Sequence, residues 1–189
     1  MERVLLISGS SKGLDMLVQL IRSAGNYEIS ALSAGNEARR IINHKEFELI
    51  IINAPLSDEF GHELSIDIAE KTSSGVVLIC KAEIAEDVSD KVGDYGVFVV
   101  SKPLNKTMFF QALKLVSAAR SRILGIRNEN VRLQSKIEEI RLINRAKCTL
   151  MQYLKFTEPQ AHRYIEKQAM DLRKTKAEVA QTILKTYEL

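Results

Sequence analysis

Residues 48–80 read ELIIINAPLSDEFGHELSIDIAEKTSSGVVLIC, two short apolar runs on either side of an amphipathic stretch. Glu48–Asn53 and Val76–Cys80 place Ile, Leu and Val at odd and even positions alike, the pattern of strands buried on both faces. Glu63–Lys71 spaces its apolar residues for a helix. Two such strands joined by a helix predict a parallel pair, because parallel neighbours need a crossover and the crossover is helical. The same grammar extends outward in both directions. Arg3–Ser8, Glu28–Ser33 and Val97–Ser101 read as further strands, and Leu14–Ala24, Glu37–His44 and Ile84–Val92 as further helices. Five strands alternating with helices predict a doubly wound α/β domain over residues 1–120.

After Pro103 the pattern changes. From Lys106 to about Leu154 there is no proline and no strong turn signal, and only Gly125 weakens what reads as one very long helix. Its apolar residues fall on a heptad. Val116, Ile123 and Ile137 occupy one core position together with Asn130 and Asn144, while Ala119, Ile126, Leu133 and Ile140 occupy the other. Asparagine at that position sets register in two-stranded parallel coils, so residues 109–145 predict a coiled-coil linker and a homodimer. The flanking charges oppose it, since Arg122 would face a second Arg127, and Lys136 a second Arg141. Beyond the long helix, Thr157-Glu158-Pro159-Gln160 and Thr175-Lys176-Ala177-Glu178 are capping boxes, each marking a helix start. Ala161, Tyr164, Ile165, Ala169 and Leu172 form one apolar face, and Val179, Ala180, Ile183, Leu184 and Tyr187 the next. Closed against Ile143, Ala146, Leu150, Met151 and Leu154, they predict a three-helix bundle within residues 135–189.

Charge divides the chain of 189 residues as sharply as pattern does. Residues 1–119 hold 12 Lys/Arg against 16 Asp/Glu, a net of −4, whereas residues 120–189 hold 15 against 8, a net of +7. An acidic front and a basic tail point to a signalling half and a half that faces a polyanion. No apolar run approaches the ~20 residues of a membrane span. The opening MERVLLISGSS lacks the length and cleavage pattern of a signal peptide, which predicts a cytoplasmic protein. Cys80 and Cys148 have no ligand-spaced partner and read as packing residues. His44, His62 and His162 have no carboxylate or cysteine at metal-ligand spacing, so neither a metal nor a cofactor is expected.

Residues 141–184, RLINRAKCTLMQYLKFTEPQAHRYIEKQAMDLRKTKAEVAQTIL, resemble the ANTAR family of RNA-binding antitermination domains. The resemblance lies in Ala146-Lys147, Leu150-Met151, Thr157-Glu158, Ala161 with Tyr164, Ala169-Met170, Arg173 and Ala180, together with both loop lengths. It implies binding to paired hairpins in a nascent leader transcript, in a form that excludes the terminator. The front half resembles a flavodoxin-like response-regulator receiver, the family in which an acidic pair, an aspartate, a hydroxyl and a lysine end successive strands. Here those positions hold Ser8-Gly9, Asn53, Cys80 and Lys102, and only Lys102-Pro103 and Gly61 keep the pattern. Without carboxylates the resemblance implies a receiver-like domain unable to hold Mg²⁺ or accept phosphate. Asp15 and Asp58 are poorly placed substitutes, one opening a helix and the other past the strand end.

Ser8–Asp15 also resembles the glycine-rich turn of short-chain dehydrogenases, but its third glycine is Asp15 and no Tyr-x-x-x-Lys pair exists. The expectation is therefore not an enzyme. It is an RNA-binding regulator of transcription antitermination, controlled by a signalling protein or small ligand on its front domain, by oligomeric state or by expression level instead of phosphate. The alternatives are a DNA-binding response regulator and a dimeric adaptor that binds no nucleic acid. Arg145, Lys147, Arg173, Lys174 and Lys176, flanking the apolar faces near the turns, are the candidate phosphate contacts. Tyr153 and Phe156 are the candidate aromatic contacts for loop bases.

Overall fold

The structure is a computed structural model that describes residues 2–187. Met1, which opens the leader reading and the front domain, and Glu188 and Leu189, which close the tail domain, lie outside the described residues. The chain forms two compact units, one ending at Gly125 and the other beginning at Ile126.

In the first unit, β1 (Glu2–Ser8), β2 (Tyr27–Leu32), β3 (Leu49–Asn53), β4 (Gly75–Lys81) and β5 (Phe98–Lys102) make a parallel sheet in the order β2-β1-β3-β4-β5. Between them run α1 (Ser11–Ala24), α2 (Gly35–Ile42), α3 (His62–Lys71) and α4 (Ala85–Val92). This is the flavodoxin-like architecture that the alternation predicts. Every residue of β3 is buried, as its unbroken LIIIN run requires for the middle of a sheet covered on both sides. Leu5, Ile7, Ile50, Ile52, Leu78 and Cys80 face one layer with Leu64 and Ile68 of α3. Val4, Leu6, Ile51, Val77 and Ile79 face the other with Leu17 and Ile21 of α1. α1 begins three residues before the predicted Leu14, because the Ser10 side chain accepts the amide of Gly13 and caps an extra turn.

α5 (Lys106–Leu154) is a single helix of 49 residues, continuous through Gly125. Its first turns belong to the front core, where Phe109, Leu113 and Val116 are buried against the second layer. Val116 therefore corrects the heptad reading. It is 7% exposed, and a Cβ added at Gly75 would meet its Cγ1 at 2.4 Å, so it faces its own sheet and is closed to a second chain.

In the second unit the end of α5 packs with α6 (Glu158–Leu172) and α7 (Lys176–Tyr187). Both capping boxes form: the Thr157 amide donates to Gln160 Oε1 at 2.8 Å, and the Thr175 amide to Glu178 Oε2 at 2.7 Å. The core consists of Ala146, Leu150, Ala161, Ile165, Val179, Ala180, Ile183 and Leu184, with Leu142, Ile143, Phe156, Ala169 and Tyr187 packed on it. Met151, Leu154, Tyr164 and Leu172, expected on the apolar faces, are exposed and lie outside it. Phe156 instead covers the core edge with its ring 5.7 Å from that of Tyr164. Cys148, expected to pack, is exposed, whereas Cys80 is buried.

Candidate receiver-type site and nucleic-acid interface

The register of the sheet brings the receiver-like positions together. Ser8 pairs with Asn53 at the carboxyl ends of β1 and β3, with Cys80, one residue before the end of β4, and Lys102, the last residue of β5, at the same edge of the sheet. This is the crevice where doubly wound sheets place their ligands. Here polar groups of the chain close on one another. Asn53 Nδ2 donates to Ser8 Oγ at 2.9 Å, and Ser8 Oγ donates to the Ser10 carbonyl at 3.0 Å. Asn53 Oδ1 is buried without a protein partner. Lys102 Nζ reaches across to donate to the Ala54 carbonyl at 2.7 Å. Burial lowers the Lys102 ammonium from its ordinary pKa and raises the Cys80 thiol, each partly offset by the other.

The donor set does not fit a hard divalent cation, which takes carboxylates and other oxygens at close range. Ser8, Gly9, Asn53 and Cys80 supply no carboxylate. A Cβ at Gly9 would lie 2.7–2.9 Å from backbone atoms of Pro55, Leu56 and Ser57, so position 9 has no room for an acidic side chain. The nearby acids are held elsewhere. Asp58 accepts the amides of Gly35 at 2.7 Å and Asn36 at 3.0 Å, capping α2 from outside and holding its carboxyl below the ordinary range. Arg39 clasps Glu59 through its two terminal guanidinium nitrogens and donates from Nε to Asp67 at 2.9 Å. Sequence reading missed this clamp because its members come from three separate elements. Asp15 is exposed.

In the second unit four of the five candidate cations, Arg145, Arg173, Lys174 and Lys176, are exposed. Arg173 takes φ 52° at the end of α6, a left-handed position that turns the chain toward α7. Lys147, its side chain only 16% exposed, pairs with Glu158 at 2.6 Å and braces α5 against α6. Lys176 pairs with Glu166 at 2.5 Å, which also meets His162 at 3.2 Å, bracing α6 against α7. Hydrogen bonds from these lysines hold Glu158 and Glu166 below the ordinary carboxylate range. Tyr153 is exposed, with its ring 5.4 Å from that of Tyr187.

Along α5 the remaining seam positions carry their side chains into solvent. Ile123, Ile126, Leu133, Ile137 and Ile140 are each about half exposed or more, and Asn130 and Asn144 are exposed among them. No helix of the described residues is long and apolar enough to cross a membrane.

Residues 131–184 match the ANTAR domain family. The chain is similar to the transcriptional regulatory protein PdtaR of Mycobacterium tuberculosis, 26% identical over 171 residues that cover 90% of this chain and 83% of that one. Among solved structures, it is similar to the signal receiver domain of an HD domain-containing protein from Pseudomonas fluorescens. That match has a TM-score of 0.59 at 20% identity and covers 66% of this chain and 92% of that one. A CheY-like response regulator receiver domain from Methanospirillum hungatei gives a TM-score of 0.58 at 18% identity, covering 65% and 98%. The chain thus joins a receiver-like fold, through the long helix α5, to a segment that matches the ANTAR domain family.

Proposed function

We propose that the chain binds hairpins of nascent leader mRNA through residues 135–189 and thereby prevents premature termination, as a regulator and not an enzyme. The observation that carries this reading is the ANTAR match on a basic three-helix unit whose apolar residues close its own core. α7 buries Val179, Ala180, Ile183 and Leu184, and its exposed face carries Glu178, Gln181, Thr182, Lys185 and Thr186, with no Arg or Asn to read base edges. The test is a salt titration of binding to tandem-hairpin RNA and to duplex DNA. Tighter binding to RNA with a steep salt slope supports the reading, preference for the duplex replaces it with a DNA-binding regulator, and binding to neither leaves a dimeric adaptor.

The front domain, residues 1–120, acts in this proposal without phosphate. Asn53 offers an amide in place of a nucleophilic carboxylate, and the crowding at Gly9 keeps an acid from being restored there. Its input is a signalling protein or a small ligand. Residues 109–145 join the domains, and the exposed stripe from Ile123 to Asn144 pairs two chains in a parallel coiled coil. Arg145, Arg173 and Lys174 are the phosphate contacts in this reading, and Lys147 and Lys176, paired with Glu158 and Glu166, act chiefly as internal braces, a division that does not depend on Arg145 being unpaired.

A further inference from the structure

We infer that an RNA hairpin loop docks on the outer face of α6 and the turn that follows it, with its phosphates on Arg163, Lys167 and Lys174 and one unstacked base against Met170. The inference rests on the RNA-binding reading above and names its surface. Arg163, Lys167 and Met170 recur at i, i+4 and i+7, one face of the helix, and all three are exposed. Lys174 follows at the end of the same helix, its amide donating to the Ala169 carbonyl at 3.0 Å. None of the three cations lies within ion-pair distance of a carboxylate among the described residues, in contrast to Lys147 and Lys176, although Lys174 is near enough to Glu178 to help lower its carboxyl.

Met170 supplies the second, independent feature. At 79% exposed it is the most exposed large apolar side chain of the described residues, so it adds almost nothing to the bundle core. It lines a shallow depression of about 440 Å³ together with Glu166, Ala169, Lys174, Thr175 and Lys176. The carboxylate of Glu166 is already met by Lys176 and His162, so the rim presents little repulsion to a phosphate chain. A soft, flexible thioether beside an open depression suits the flat face of a base. Such a base is available only where the strand is unstacked, as in a hairpin loop, and a duplex of either kind keeps its bases stacked. Cations along the helix and an apolar site at its end therefore select a loop with its flanking backbone. Asp171, four residues after Lys167, is the acid at the edge of this face.

The experiment uses the full chain and tandem-hairpin RNAs selected against it from a pool with random loops. Arg163→Ala with Lys167→Ala should weaken binding at least tenfold and flatten the logarithmic salt dependence by about one to two units, two phosphate contacts being lost. Met170→Ala should weaken binding several-fold with the salt slope unchanged, and Met170→Leu should restore most of it. Asp171→Asn should tighten binding. Circular dichroism of each variant should match wild type, since none of these side chains is buried. Wild-type affinity and slope in the double variant would overturn the docking face while leaving RNA binding intact. Unchanged affinity in Met170→Ala would overturn the base contact. A pool that yields no binding RNA would overturn the reading on which both rest.

Discussion

At residue scale, the front domain is governed by the Ser8–Asn53 contact and the crowding around Gly9. Acetyl phosphate with Mg²⁺ should leave no acyl-phosphate on the front domain by mass spectrometry, and Asn53→Asp alone should not change that, because the acidic pair stays absent. A stable adduct on either protein would refute the closed site. Gly9→Ala should cost about 1–3 kcal/mol in denaturant unfolding, since the added carbon meets backbone of the 55–57 loop and not a side chain that can turn aside. In the tail, Lys147→Ala should lower the thermal midpoint while leaving RNA affinity nearly unchanged. Its partner sets a pH dependence of known sign. Glu158 and Glu166 titrate below their ordinary range when folded, so the stability they contribute is present above the unfolded carboxylate pKa and is lost as pH falls through the folded values. Melting followed downward from neutral pH should show this decline, shallower in Lys147→Ala.

At the scale of elements, helix ends and helix faces make separate demands. Arg173 holds φ 52° where a glycine would sit without cost, so Arg173→Gly should stabilise the second unit by about 1 kcal/mol. The same variant should weaken RNA binding if the Arg173 guanidinium contacts phosphate, and equal affinity would remove it from the interface. Leu150 and Met151 are adjacent on α5 yet differ in kind. Leu150 is fully buried and Met151 is 38% exposed. Leu150→Ala should therefore cost about 2–5 kcal/mol, and Met151→Ala well under half of that, by equilibrium unfolding.

For the whole molecule, assembly rests on α5. Five large aliphatic side chains of the heptad seam, Ile123, Ile126, Leu133, Ile137 and Ile140, meet water in the single chain, and burying each would contribute roughly 1.5–3 kcal/mol. Light scattering at micromolar concentration should show a dimer, and Ile137→Asp should give monomers. Monomeric wild type would end the coiled-coil reading. The Arg122 and Lys136 repulsions predict that the dimer tightens with added salt, the reverse of the RNA complex.

The buried central strand, the long helix and the caps of α6 and α7 were legible in the sequence because their causes are local. An unbroken LIIIN run makes a central strand, 49 residues without proline or strong turn make one helix, and Thr-x-x-Gln or Thr-x-x-Glu starts the next. The tail could be compared with a family for the same reason, its register being written in consecutive residues. What needed the tertiary structure were choices between equivalent local options. Val116 satisfies both a heptad and a sheet-facing helix, and only the nearness of Gly75 assigns it to the core. Lys147 and Lys174 look alike as tail cations until the packing of α5 against α6 sets Glu158 beside one of them. Asp58 reads as a loop acid until the fold carries it to the amides of α2, twenty-odd residues earlier in the chain. Periodicity and capping depend on neighbours in sequence, whereas charge pairing and the direction of an exposed face depend on neighbours in space, which only the folded chain supplies.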